Sequence, residues 1–260
     1  MSVRWEDILR LPEAAYTGGR RLPKTVLTSR AMLTKNEQRT LDKVRRLEHF
    51  ATVAKGTARV LPRVDDDHDI QSVIFLRCVM ARDTQAVAEV AQLLHGCFPN
   101  PTVILQEAGD DIALSVNLTR RSYAEHGATV VYDVESTGLF DPTDTRYAPF
   151  LDTLSFERQP QDDLLSYLEA IASQVKLSQA IAPLGFYPSC HPDDRGLVLN
   201  LIDNYKKWDA QVKSLLQLHQ GKDVTPNQSA RLRMEIRRAK GKRSQTLREI
   251  EQLCDKEILI

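Results

Sequence analysis

Between residues 56 and 175 the chain contains no lysine. That absence bears on one chemistry in particular. A restriction-type nuclease wants an acid on one strand and an acid-x-Lys on the next, to hold magnesium and orient water. The strands expected in this span offer Glu107, Asp111 and Asp133, with no lysine at the following offset. Apolar runs of membrane-spanning length are also missing, which argues against a transmembrane helix. The four cysteines, Cys78, Cys97, Cys190 and Cys254, include no close pair in sequence. Neither a disulfide framework nor a zinc ligand set is read from them, and their usage fits a reducing compartment. The six histidines (His49, His68, His95, His126, His191 and His219) show no i, i+4 pair and no Cys/His ligand spacing. Gly18-Gly19 and Gly221 lack the flanking pattern of a phosphate loop. The opening MSVRWEDILRLPEAA carries charges where a signal peptide needs its apolar core. These absences predict a cytoplasmic protein with no cofactor motif.

What is present is a segregation of charge under a formal net charge of zero. Residues 1–60 carry 13 Lys and Arg against 6 Asp and Glu. Residues 61–190 carry 8 against 19, and residues 191–260 carry 14 against 10. An acidic middle is flanked by basic ends. Such ends either pack against or solvate the middle, or they form sites for nucleic acid or an acidic partner.

The stretch from Asp69 to Asp133 organises the fold. Ile70 to Met80 is apolar and β-branched, and is preceded by an acidic loop, Asp65 to Asp69. Asp83 is placed to cap a helix from Thr84 to Leu94, with Val87, Val90, Ala91 and Leu94 on one face and Gly96 at its C-cap. A turn at Pro99-Asn100-Pro101 leads to strands at Thr102 to Gln106, Ile112 to Leu118 and Ala128 to Val134. The intervening helix predicts a right-handed βαβ crossover between the first two strands. The turn at Gly109 to Asp111 predicts an antiparallel pair.

Upstream, residues 5–30 read as irregular, with a basic loop cluster at Arg20, Arg21 and Lys24. Thr34 and Glu37 form a capping box that opens a helix from Lys35 to about Phe50, with Leu41, Val44 and Leu47 on one face. A short strand is expected near Ala58 to Leu61. Downstream come a long loop at Glu135 to Phe150 and a short edge strand at Leu154 to Phe156. An amphipathic helix follows from Gln161 to Ile181, favoured by Asp162 and Asp163 and ended by Pro183.

Beyond Pro188 and Pro192 the chain turns helical. Val198, Ile202, Tyr205, Trp208, Val212, Leu215 and His219 recur at steps of three and four, close to a coiled-coil seam. After a break at Gly221 to Asn227, a second helix runs from about Gln228 to Lys256. The fold class is α+β: a mixed four- to five-stranded sheet with flanking helices, followed by a coiled-coil-like helical hairpin. The expected division is a body at 1–182, a linker at 183–195 and an arm at 196–260.

The densest chemical signal lies from Arg231 to Arg248. Arg231, Arg233, Arg237, Arg238, Lys240, Lys242 and Arg243 stand in this window with only Glu235 opposing. A helix face of this kind binds DNA or RNA by counterion release without reading sequence. A solvated basic face has the same composition, and no aromatic residue interleaves to stack on single strands. No catalytic set is assigned. The weaker alternative is a metal-dependent nuclease with Asp69, Glu107 and Asp133 as an atypical carboxylate site. His68 among Asp65, Asp66, Asp67 and Asp69 is read as a solvated loop before a cation site. Cys190-His191 is read as inert.

The order of several motifs carries a resemblance. It comprises Leu11-Pro12, Arg21-Leu22-Pro23-Lys24, Leu33-Thr34-Lys35, the strand Ile70 to Leu76, and Phe98-Pro99-Asn100-Pro101-Thr102-Val103-Ile104-Leu105 ahead of a basic C-terminal helix. Over residues 8–253 the chain resembles a bacterial family catalogued as domain of unknown function 4391. The resemblance brings no catalytic residues. It implies a subunit of a restriction-like antiviral defence system, beside a helicase- or methyltransferase-like partner. The basic window, the coiled-coil-like seam and the missing catalytic signatures make an accessory, non-catalytic role that contacts the partner, DNA or both the expectation. A homodimer through the C-terminal helices is the remaining structural alternative.

Overall fold

Val44–Ala54, with β-branched and aromatic residues at Val44, Phe50, Thr52 and Val53, is the second strand of a six-stranded mixed sheet. In a computed structural model of the chain, residues 3–81, 86–98, 100–124, 128–221 and 225–254 are described, the side chains at 29 and 30 excepted. Two compact units divide at Lys176 and Leu177.

The first unit opens with α1 (Trp5–Leu9), β1 (Tyr16–Arg21), α2 (Lys24–Arg30), α3 (Lys35–Asp42) and β2 (Val44–Ala54). A single turn, α4 (Lys55–Ala58), and a minor pair, β3 (Arg63–Val64) with β4 (Asp69–Ile70), lead to β5 (Ser72–Met80). Then come α5 (Val87–Cys97), β6 (Thr102–Ala108), β7 (Asp111–Arg121), β8 (Thr129–Ser136), α6 (Ala148–Thr153) and α7 (Leu164–Ser178). The sheet order is β1-β2-β5-β6-β7-β8. Only β5 and β6 run parallel, joined through α5, and the remaining neighbours are antiparallel. The expected βαβ unit and hairpin are therefore both present.

Period-two alternation in β5 divides its side chains between two faces. Leu76, Cys78 and Met80 join Leu41, Leu47, Val90, Leu94 and Ile104 in a buried cluster on the helical side. Phe75 and Arg77 point the other way. On α7, Leu164, Tyr167, Leu168, Ile171 and Val175 are all buried, as a helical stripe requires. Asp163 caps that helix, accepting from the N–H groups of Leu165 (2.9 Å) and Ser166 (3.0 Å).

Five expectations need correction. The sheet has six strands because β1 and β2 form where an irregular segment and a longer helix are predicted. The capping box at Thr34 and Glu37 is present, but its helix stops at Asp42. From Val44 onward the β-branched and aromatic residues Val44, Phe50, Thr52 and Val53 prefer a pleated surface. The segment at Ala58 is a helical turn, and Phe156 begins a short 3-10 turn, so neither is a strand. Gly96 lies inside α5, whose C-cap is Phe98. The proposed cap at Asp83, the helix start at Thr84 and the turn residue Pro99 lie outside the described residues.

The second unit contains α8 (Ile181–Leu184), α9 (Arg195–His219) and α10 (Pro226–Leu253). Pro183 sits within α8, which Gly185 closes in the left-handed region at φ 84°. α9 and α10 run antiparallel. Asp209 meets Arg243, Trp208 meets Lys242, and His219 meets Ser229, so positions rise along one helix as they fall along the other. Val212, Leu215, Ile236 and Ala239 form their shared core.

Candidate nucleic-acid interface

Helix α10 is a long, well-capped rod. Thr225 accepts the N–H of Gln228, while the Gln228 side chain accepts the Thr225 N–H at 3.0 Å, and Pro226 stands at the first helical position. Its 28 residues span about 42 Å at the helical rise. Ile236, Ala239, Thr246 and Ile250 are buried and define its inner side. The basic residues sort themselves around that side.

Two of the seven named cations are occupied within the hairpin. Arg243 Nη1 donates to Asp209 Oδ1 at 2.7 Å, and Lys213 contacts the same carboxylate at 2.8 Å. Lys213 and then Arg243 hold the Asp209 carboxyl below its usual range, against the opposing effect of burial. Lys242 Nζ lies 4.2 Å from the centre of the Trp208 ring, a cation–π contact. Two more have weaker partners. Arg231 pairs with Glu235 at 3.1 Å across one turn, and Arg233 Nε donates to His219 Nε2 at 3.4 Å. Arg237, Arg238 and Lys240 remain. All three are exposed, and none makes an ion pair among the described residues. Arg248 is exposed on the same outward side.

The alternative carboxylate site is not assembled. Glu107 sits opposite Ile112 at one end of β7, and Asp133 sits opposite Leu118. Six residues of strand separate those positions, about 20 Å at the strand rise. Asp69 contacts Arg121, at the far end of β7, at 3.8 Å. That places it about 30 Å from Glu107 along the strand. One metal bound at about 2.0–2.6 Å by oxygen ligands cannot be shared across such gaps. Among the described residues no group of three or more His, Cys, Asp or Glu gathers for a metal. Asp65 accepts from the N–H groups of Asp67 and His68 and pairs with Arg63 at 2.7 Å, so it organises its own loop. The Arg63 guanidinium holds its carboxyl well below the ordinary range.

Glu107 belongs to a different cluster. Arg77 grips it with both forks, at 2.7 Å and 3.0 Å, and Trp5 Nε1 donates to it at 3.0 Å. Across the β2–β5 pair, Arg77 faces Glu48, which is buried and ion-paired with Arg46. A cleft of about 360 Å³ opens beside Glu48, Arg46 and Arg77, under Tyr16 and the Gly18-Gly19 bulge of β1. Against the nuclease template, β2 supplies one acid and β5 supplies a cation at Arg77. The acid due two residues earlier is Phe75, fully buried. Glu48 escapes a reading of the sequence because Val44 to Phe50 scans as a continued helix there, and without it Arg77 has no visible cross-strand partner. The β-branched and aromatic residues Phe50, Thr52 and Val53 are the signal that marks the strand carrying Glu48.

Two cysteines 64 positions apart in sequence also meet. Cys190 and Cys254 face each other in an isolated antiparallel bridge, and their thiols interact. Both are free thiols. No helix among the described residues is long and apolar enough to cross a membrane.

A model of the family described as a domain of unknown function (DUF4391) matches residues 9–242. No curated protein and no solved structure matches the chain.

Proposed function

We propose, for a chain that belongs to the family described as a domain of unknown function (DUF4391), an accessory role in which α10 holds the backbone of a nucleic acid. One observation carries this reading. Arg237, Arg238 and Lys240 stand exposed on α10 without ion-pair partners among the described residues, while Lys242 and Arg243 serve the hairpin's own packing. Cations left free on a rigid rod meet phosphates at little cost in ordering, and each phosphate neutralised releases counterions. The contact reads no sequence, because phosphate contacts fix position and carry no base information.

Contact, and not chemistry, is the contribution we assign. The family resemblance supplies the setting: a restriction-like defence system with a helicase- or methyltransferase-like partner. Homodimerisation through the hairpin is the weaker reading, since Val198, Ile202, Val212 and Leu215 of the expected seam are already buried, the last two in the hairpin core. The test is binding of a labelled non-specific DNA duplex as a function of salt. Arg237→Glu/Arg238→Glu/Lys240→Glu is expected to reduce the slope of log K against log salt by about 3, one per cation. An unchanged slope removes the nucleic-acid reading of α10.

A further inference from the structure

A second set of cations gathers in the first unit, and its geometry is separate from α10. We propose that the cleft between the end of β1 and the start of β2 is a phosphodiester-binding site for a nucleic-acid strand. The cleft measures about 210 Å³. Arg21, Lys24, Arg45 and Arg46 line it, and no carboxylate does among the described residues. Its remaining walls include Leu22, Pro23 and Leu47.

Two departures from a regular sheet build it. In the β2–β5 pair, Val44 is opposite Met80 and Arg46 opposite Val79, so Arg45 is an extra residue. A bulge of this kind re-aims side chains, and here both Arg45 and Arg46 reach one cleft. On the facing strand, the Leu22 N–H donates to the Leu47 carbonyl at 2.8 Å and brings Arg21 and Lys24 alongside. Arg21, Lys24 and Arg45 make no ion pair among the described residues, and Arg46 balances the buried Glu48.

Charged residues on an edge strand commonly serve only to prevent sheet-to-sheet pairing. Edge protection explains Arg20 and Arg21 on β1. It does not explain why Arg45 and Arg46, beyond the last β1 partner at Glu48, are turned by the β2–β5 bulge into the same cleft as Arg21 and Lys24. Three of the four cleft cations are arginines, whose planar forks match phosphate oxygens in pairs. The apolar wall suits the sugar and base edge between phosphates, which an acidic peptide does not offer at that spacing.

The experiment uses the full chain and a labelled 20-nucleotide single strand, followed by fluorescence anisotropy across a salt series. Arg46 stays intact because it neutralises Glu48. Arg21→Ala/Arg45→Ala is expected to lower affinity at least about tenfold and the salt slope by about 2. Arg21→Lys/Arg45→Lys is expected to keep the slope and recover part of the affinity, because it keeps charge and loses the fork. Wild-type affinity and slope in the alanine variant, with an unchanged circular dichroism spectrum, overturn the proposal. Equal competition by poly-glutamate also overturns it, in favour of an acidic protein. The Arg237→Glu/Arg238→Glu/Lys240→Glu variant separates the two sites. If it alone abolishes binding, the cleft fails and α10 stands. If it changes nothing while the alanine variant weakens binding, α10 fails and the cleft stands.

Discussion

The β2–β5–β6 region of the first unit and the outer side of α10 treat arginine in opposite ways. In the sheet, Arg77 lies between Glu48 and Glu107, forking onto Glu107 and standing 3.8 Å from Glu48. On α10, Arg237 and Arg238 have no acid to answer to among the described residues. The same side chain is structural where carboxylates are buried and available where they are absent. Residue type alone therefore says little about function in this chain. Whether a buried carboxylate consumes the charge decides it.

The largest expected effect breaks the sheet side of that contrast. Arg77→Ala removes the guanidinium that forks onto the largely buried Glu107 and leaves Glu48 to Arg46 alone. Stranding buried charge costs about 3–5 kcal/mol. Urea unfolding of the variant should show a loss of at least about 3 kcal/mol. A loss under about 1 kcal/mol means that water or other groups already satisfy those carboxylates, and the contrast dissolves.

A second effect concerns a hidden base in the same unit. His95 is 1% exposed and shares a 2.9 Å hydrogen bond with Ser115. Burial pushes its pKa down to about 4. An unfolded histidine titrates near about 6.5, so the unfolded chain binds the extra proton between those values. The associated stability is complete above about pH 6.5 and is lost as pH falls toward about 4, a total of about 3 kcal/mol. His95→Gln should remove this component. The difference in unfolding free energy between wild type and variant should change by that amount between pH 7 and pH 4. A difference that stays flat with pH means His95 titrates like an exposed residue.

Much of the fold was legible in the sequence where one period dominates. β5, β6 and β7 and the capping box at Thr34 announce themselves through apolar runs, turn residues and spacing. β2 did not, because Leu41, Val44 and Leu47 continue a helical spacing across the junction at Lys43. Only the β-branched run after Val44 distinguishes the strand, and a short window does not weigh it. β1 was hidden for a related reason: Gly18-Gly19 forms a bulge with both residues in the left-handed region, which breaks alternation inside a six-residue strand. The candidate face on α10 was legible as composition. Which of its cations are free was not, because Asp209 and Trp208 sit on another helix.

An intermediate effect tests the rod on which those cations stand. Thr225→Ala removes a capping-box partner and should cost about 1 kcal/mol. The expected readout is a lower melting temperature with the DNA salt slope unchanged. A change of slope without loss of stability indicates that the helix start itself touches the nucleic acid.

The smallest effect on stability is the most discriminating. Arg237→Glu/Arg238→Glu reverses two exposed charges that make no ion pair among the described residues. Arginine and glutamate have similar helix propensity, and neither position is buried in the hairpin core. Exposed substitutions of this kind usually stay within about 0.5 kcal/mol. Thermal unfolding should therefore be nearly unchanged while DNA affinity falls. A loss above about 1 kcal/mol means the two arginines serve the fold as Arg77 does, and the α10 face loses its claim to be free for a ligand.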